Sequence, residues 1–156
     1  MNVKIIVHSK TGNTFSVAEK LRGRVETAGH TVRLEQVRAA NESEIKPESI
    51  KLSNNPKTTG FDLLVFGAPV NGGKLSAVMQ AYLQQLPSLE GAVIAGFVTQ
   101  FFPSAGMGGN QAIANMEELL RAKGGKLSVS GVVNWMFKGK RNKLIAETIE
   151  KIAQIG

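Results

Sequence analysis

The sequence predicts an α/β protein in which a parallel β-sheet is covered by helices on both faces. Short apolar, β-branched segments alternate with segments of helical periodicity along the chain. The segment at residues 61–69 is almost continuously apolar, which suits a central strand buried on both faces. Alternation of this kind is typical of a doubly wound, three-layer fold, here with five strands.

Each element has its own pattern. The first strand is predicted at residues 2–8, and the helix after it carries apolar residues at helical spacing until Gly29. Residues 30–37 alternate apolar and polar side chains, so this strand is expected at an edge of the sheet. Residues 38–60 are polar and rich in turn formers, and a short helix or an irregular crossover is expected there. The remaining elements, in order, are a strand at 61–69, a helix at 74–86, a strand at 91–100, a helix from about 110 to 123, a strand at 126–135 and a helix at 141–155.

Chain length and cysteine content limit the function. A chain of 156 residues has the usual size of one compact domain, so a single domain spanning residues 1–156 is expected. The sequence contains no cysteine, which excludes disulfides, thiolate metal sites and thiol catalysis. The two histidines are far apart in sequence, and no cluster of metal ligands is predicted. Any redox role therefore needs a bound cofactor.

The net charge of +7 favours anionic partners. No element that reads nucleic acid accompanies this charge, so a nucleic-acid partner is not favoured. The N-terminal segment lacks the pattern of a signal peptide, and no apolar run reaches membrane-spanning length. We therefore expect a cytoplasmic protein without membrane insertion.

Three loops of unusual composition follow the first, third and fourth predicted strands. They are "SKTGNT" at residues 9–14, "APVNGGK" at 68–74 and "TQFFPSAGMGG" at 99–109. Because the carboxyl ends of parallel strands meet at one edge of a sheet, these loops are expected to form a single concave site.

The first loop has the composition of a phosphate site. Gly12 permits a tight turn, Ser9, Thr11 and Thr14 supply hydroxyl groups, and the following helix presents its positive N-terminal end. The alternative is that Asn13 or Thr14 is only the N-cap of that helix. Four hydrogen-bonding residues around a glycine, between a strand and a helix, favour the phosphate site.

The segment "HSKTGNT" resembles the phosphate-binding loop of the flavodoxin family, which reads Ser/Thr, one variable residue, then Thr-Gly-x-Thr. Ser9, Thr11, Gly12, Asn13 and Thr14 match this pattern without a gap. The segment "FGAPVNGG" resembles the family's loop after the third strand. The resemblance implies a five-stranded sheet of order 2-1-3-4-5, FMN bound without covalent attachment, and one- or two-electron chemistry at the flavin ring.

The resemblance also implies which residues contact the cofactor. The loop after the third strand is expected at one edge of the flavin ring and the loop after the fourth at the other, where the alternative for Phe101 and Phe102 is core packing. Many flavodoxins carry a large aromatic residue in each loop, whereas this chain has Asn71, so one face of the ring is expected to be open. The expected cofactor-binding residues are Ser9, Lys10, Thr11, Gly12, Asn13, Thr14, Pro69, Val70, Asn71, Gly72, Gly73, Gln100, Phe101, Phe102, Gly108 and Gly109.

Three functions are compatible with these features. The favoured one is an FMN-binding electron carrier that serves an acidic protein redox partner, as a monomer or dimer. The second is a small FMN-dependent NAD(P)H reductase acting on a quinone or similar acceptor. The third is a basic interaction module that has lost the cofactor. The sequence suggests no catalytic side chain of its own.

Overall fold

A parallel β-sheet forms the centre of the protein in the computed structural model, which describes residues 1–155. In chain order, the elements are β1 (Asn2–Val7), α1 (Asn13–Thr27), β2 (Thr31–Gln36), a 3₁₀ turn (Pro47–Ser49), β3 (Leu63–Asn71), β4 (Lys74–Leu75), α2 (Ala77–Gln84), β5 (Val93–Gln100), α3 (Gly109–Arg121), β6 (Lys126–Asn134) and α4 (Lys138–Ala153).

The strand order is β2-β1-β3-β5-β6, and all neighbours along this path are parallel. The short β4 pairs antiparallel with the end of β3. Apart from β4, this is the predicted five-stranded, doubly wound sheet with order 2-1-3-4-5. The predicted edge strand, β2, lies at one edge, and β6 lies at the other.

The period of two along the strands divides the core into two layers. On β1, Val3, Ile5 and Val7 pack in the layer that contains α1 and α4, whereas Ile6 packs in the layer that contains α2 and α3. Burial of one such side chain contributes about 1.5–3 kcal/mol to stability. Because both faces are covered, β3 and β5 are apolar up to their carboxyl ends.

The aromatic ring of Phe97 accounts for a glycine in the centre of the sheet. Gly67 on β3 is the register partner of Phe97 on β5. A Cβ atom added at Gly67 would lie 2.3 Å from Phe97 Cζ, so the ring occupies the space that any side chain would need.

The helix predicted at residues 74–86 is wrong at its start, because Lys74 and Leu75 form β4. Two glycines with positive φ, Gly72 at 59° and Gly73 at 77°, turn the chain back onto β3. The helix begins only after Ser76, whose side chain accepts a hydrogen bond from the Met79 N–H. The last helix, by contrast, starts earlier than predicted, at Lys138, about one turn before residue 141.

The region between β2 and β3 is irregular, which is one of the two conformations that the sequence predicted for it. Apart from the 3₁₀ turn, it is stabilised by an antiparallel bridge between Ala39 and Leu52. The Tyr82 hydroxyl on α2 donates to the Pro56 carbonyl at 2.5 Å and anchors this segment to the core. Burial, with a smaller contribution from the charge of Glu35, raises the pKa of Tyr82.

Across residues 1–155, no helix combines the length and the apolar character that crossing a bilayer requires.

Candidate functional site

The three loops expected to form a site meet at the carboxyl edge of the sheet. The hydroxyl groups of Thr14, at the start of α1, and Thr99, near the end of β5, share a buried hydrogen bond of 2.8 Å. Gly108, before α3, packs against the β3–β4 hairpin, where an added Cβ atom would lie 3.2 Å from Gly73 Cα. The loops after β1, β3 and β5 are therefore contiguous.

The loop after β1 leads directly into the N-terminus of α1. Gly12 is the N-cap of α1 with φ of 95°, and as a glycine it makes no side-chain cap hydrogen bond. The alternative that Asn13 or Thr14 is the N-cap is therefore wrong. Ser9 Oγ accepts from the Phe15 N–H at 3.1 Å, and the first turn of α1 contains no acidic residue. The N–H groups of Asn13 and Thr14 remain as donors at a positive helix end.

The hydroxyl groups of the first loop differ in their surroundings. Thr14 is buried and bonded to Thr99, whereas Thr11 is exposed and Ser9 is half-buried. Since Ser9 Oγ only accepts from Phe15, its own proton is free to be donated. Ser9 and Thr11 are thus the hydroxyls of the first loop best placed to bind a ligand. Lys10 adds an exposed cation beside them.

The loop after β3 is the β3–β4 hairpin, which leaves open space at its tip. Asn71, Gly72 and Gly73 are exposed, and Pro69 and Val70 are half-buried. A Cβ atom added at Gly72 or Gly73 would have no neighbour within 4 Å. These two glycines are therefore required by their positive φ values and not by close packing.

The loop after β5 is shaped by buried amides. Gln100 Nε2 donates to the carbonyls of Phe102, at 2.9 Å, and Ser104, at 2.5 Å. From β6, Asn134 Nδ2 donates to the Pro103 carbonyl at 2.9 Å. Gln100 therefore acts on the conformation of its own loop, and its side chain is 6% exposed.

These hydrogen bonds hold two aromatic side chains at the surface. Phe101 is 59% exposed and Phe102 is 52% exposed, so the alternative that they pack in the core is wrong. Their rings contact each other edge to face, with centroids 5.9 Å apart.

Gly108 is required by its positive φ of 117° together with close packing, and Gly109 by packing alone. An added Cβ atom at Gly108 would lie 3.0 Å from Val70 Cγ1, and at Gly109 it would lie 2.5 Å from Val132 Cγ1. Gly109 is buried as the first residue of α3. Gly108 therefore lies against the β3–β4 hairpin, and Gly109 lies against β6.

A cavity of about 360 Å³ lies beside the first loop and the hairpin. Its other wall comes from the irregular segment after β2 and from the first turns of α2, and no residue of the loop after β5 lines it. The lining residues are His8, Lys10, Glu42, Ser43, Glu44, Ile45, Asn71, Gly72, Lys74, Leu75, Ala77, Val78 and Gln80.

A hydrogen-bond chain runs from buried Ser76 through His8 to Glu42, and the last two residues line this cavity. His8 Nδ1 lies 2.8 Å from Ser76 Oγ, and His8 Nε2 lies 2.8 Å from Glu42 Oε1. The Glu42 carboxylate only accepts hydrogen bonds, so Nε2 carries a proton; Ser76 accepts from Met79 and has its own proton to donate to Nδ1. The second oxygen of Glu42 accepts from the Ala39 N–H at 2.7 Å.

Sequence reasoning missed most of this chain of contacts. The first strand was expected to end at His8, but nothing in the sequence connected this residue to Ser76 or to Glu42, which are 68 and 34 residues away. Glu42 lies in a polar segment without periodicity, so its position depends on how that segment crosses the end of the sheet.

The fold and its carboxyl edge define the flavodoxin-like class of α/β folds. Solved structures of flavodoxins and flavoproteins match the chain over nearly its whole length. Flavodoxin from Megasphaera elsdenii has a TM-score of 0.69 at 20% identity, covering 97% of this chain and 98% of that one. Flavodoxin from Streptococcus pneumonia TIGR4 has a TM-score of 0.67 at 14% identity and covers both chains completely.

A flavoprotein from Lactobacillus acidophilus, solved in complex with FMN, has a TM-score of 0.63 at 18% identity, covering 92% of this chain and 97% of that one. No protein-family model and no curated protein matches the sequence. At these identities the likeness establishes the fold, and the function must be argued from this chain's own residues.

Proposed function

We propose that the protein binds FMN without covalent attachment at the carboxyl edge of the sheet and carries electrons between redox partners. The observation that carries this proposal is the start of α1, where Gly12 supplies no side-chain cap and Ser9 binds only the Phe15 N–H. The N–H groups of Asn13 and Thr14 are left beside two hydroxyls, with no carboxylate in the first turn. That combination suits a phosphate dianion. Structures with the same fold include flavodoxins and a flavoprotein in complex with FMN.

The donor set of the first loop fits the FMN phosphate. Ser9 and Thr11 would each donate a hydroxyl hydrogen bond, and the N–H groups of Asn13 and Thr14 would donate along the helix axis. Gly12 leaves this approach free of a side chain, since nothing lies within 4 Å of where its Cβ would be. Lys10 would add a screened attraction.

The remaining two loops would border the flavin ring. When bound, FMN supplies one- or two-electron transfer at its isoalloxazine ring. The hairpin tip at Asn71–Gly73 would present backbone groups to one edge of the ring, and its lack of bulky side chains would leave one face accessible. Phe101 and Phe102 offer exposed aromatic surface on the side of β5.

The charge of the protein favours an acidic redox partner. The chain carries 19 Lys and Arg against 12 Asp and Glu. A positive surface increases the rate of encounter with a negatively charged protein and makes that rate sensitive to salt.

Titration of the cofactor-free protein with FMN tests the proposal, with riboflavin as the matched ligand that lacks the phosphate. We expect FMN to bind much more tightly than riboflavin and to be released on denaturation. Equal affinity for the two ligands would contradict the phosphate site. Failure to bind either ligand would leave the basic interaction module as the remaining function.

A small FMN-dependent NAD(P)H reductase is the second candidate. The cavity of about 360 Å³ beside Asn71 and Gly72 is the observation that favours it, because it adds room for a small molecule next to the hairpin. Anaerobic addition of NADH or NADPH to the FMN-loaded protein separates the two candidates. Rapid bleaching of the flavin without another protein would favour the reductase, and its absence would favour the carrier.

A further inference from the structure

Exposed apolar side chains are concentrated at one place on the surface. Among residues 1–155, eight large apolar side chains are exposed, and five of them lie on the two loops that follow β5 and β6. Phe101 and Phe102 belong to the proposed flavin site, so we define the apolar patch as the other three: Met107, Met136 and Phe137. They are 41–58% exposed, which is unfavourable in water unless the patch is covered by something else.

Hydrogen bonds join the two loops into one surface. The Met136 N–H donates to the Phe101 carbonyl at 2.9 Å, and the Trp135 N–H donates to the Gln100 carbonyl at 2.8 Å. The Lys140 ammonium, on the first turn of α4, also donates to the Pro103 carbonyl. The apolar side chains are thus displayed by a fixed framework.

A cluster of cations borders the apolar patch. We call Lys138, Lys140, Arg141 and Lys143 the basic rim; all four lie in the first turns of α4. The first turn of α4 contains no acidic residue. Within residues 1–155, the basic rim makes one ion pair, in which Lys143 Nζ lies 4.0 Å from Glu147 Oε1. Lys140 and Arg141 donate to the Pro103 and Trp135 carbonyls, which stabilises the fold. Lys138 is a cation at the positive N-terminal end of a helix, which is unfavourable, so folding stability does not explain its placement.

We propose that the apolar patch and the basic rim together bind the surface of an anionic lipid bilayer. Apolar side chains on loops enter the boundary between headgroups and acyl chains, while neighbouring ammonium groups contact the anionic headgroups. The binding is peripheral and reversible, and it turns the carboxyl edge of the sheet toward the membrane.

The composition of the surface favours a bilayer over an acidic protein. Protein interfaces have polar rims with directional donors and acceptors. Here the residues from Phe137 to Lys143 include four cations and no anion, and the apolar patch is made only of Phe and Met side chains. A single sign of charge beside a purely apolar surface suits a uniform layer of lipid phosphates.

Co-sedimentation with vesicles tests this proposal. We expect the protein to bind vesicles of phosphatidylcholine mixed with phosphatidylglycerol, to bind phosphatidylcholine alone weakly, and to be partly released by salt. The variant K138Q/K143Q should lower the partition coefficient about twenty-five-fold, since each lysine near an anionic surface contributes about a fivefold factor. The control K20Q/K126Q removes two exposed lysines from elsewhere on the surface and should change binding less than twofold.

A second variant tests how much the apolar patch contributes to vesicle binding. M136S/F137S should weaken vesicle binding about tenfold or more, whereas V93S, at the amino end of β5, should leave it unchanged. Circular dichroism of each variant checks that it is folded. Equal binding to neutral vesicles, or equal losses in the rim variant and its control, would overturn the proposal.

Binding to soluble polyglutamate without binding to anionic vesicles would also contradict the proposed bilayer binding, and it would indicate an acidic protein partner. None of the substituted residues belongs to the proposed FMN site. FMN titration of the same variants therefore separates a failure of this proposal from a failure of the proposed function.

Discussion

The loops after β1 and β5 both start a helix at the same edge of the sheet, but they are built in different ways. The loop after β1 is closed by a local contact, from Ser9 Oγ to the N–H of Phe15 six residues later. The loop after β5 also depends on distant residues, because Asn134 and Lys140 bind the Pro103 carbonyl from β6 and α4.

Their glycines differ in the same way. Gly12 has a positive φ and open space around it, whereas Gly109 lies against Val132 and Gln100. The first loop is therefore a local structure whose side chains are free for a ligand. The second is a packed structure whose side chains are displayed by the rest of the fold.

Removing both outward hydroxyls of the first loop should have the largest effect. A hydrogen bond to a charged group contributes about 1.5–3 kcal/mol, so S9A/T11A should weaken FMN binding at least about a hundredfold. Riboflavin binding should be unchanged. S16A, whose hydroxyl donates to the Asn13 carbonyl within the helix, is the matched control. An equal loss in S16A would show that the first turn and not a phosphate contact was disturbed.

A methyl group at Gly109 should destabilise the protein by about 1–3 kcal/mol, because the added atom would lie 2.5 Å from Val132 Cγ1. The control is G106A in the same loop, where the nearest atom would be 3.7 Å away; its cost should be under about 0.5 kcal/mol. Urea denaturation of both variants measures the difference. Similar free energies of unfolding for G109A and G106A would mean that the loop after β5 accommodates an added methyl group as easily as the first loop would.

The hydrogen bond between Thr14 and Thr99 joins the two loops directly. A double-mutant cycle with T14V and T99V should give a coupling energy of about 1 kcal/mol, as expected for one buried hydrogen bond. The coupling is measured from the free energies of unfolding of the two single variants and the double variant. Strictly additive effects would show that the loops are independent.

The smallest effect at neutral pH concerns Tyr82, which anchors the segment beside the first loop. Burial raises its pKa above 10.0, so the unfolded chain loses this proton first as the pH rises. The tyrosine contributes fully below pH 10 and progressively less above it. We expect the free energy of unfolding to fall above this pH, and to fall less steeply in Y82F. As Tyr82 is the only tyrosine, tyrosinate absorbance follows it directly.

The sequence predicted the fold well because its signals are local. Helical spacing, apolar strands and breakers such as Gly29 and Pro87 act within a few residues. The exception at Lys74 and Leu75 arose because a hairpin of two residues per strand has no periodicity to detect. The tertiary contact with β3 decided its conformation.

For the site, the amino-acid sequence by itself determined the order of the elements and the donors and glycine of the first loop, since those features act over neighbouring residues. Only the tertiary structure decided that Thr14 turns inward to Thr99, that Glu42 reaches His8, and that Phe101 and Phe102 stay at the surface. The first two contacts join residues that are 85 and 34 positions apart in the sequence and that the crossovers of the fold bring together. The exposure of the two aromatic residues depends on buried amides, including Asn134 on another strand, that bind the carbonyls of their loop. Local patterns carry no information about such contacts, because packing of the whole sheet sets them.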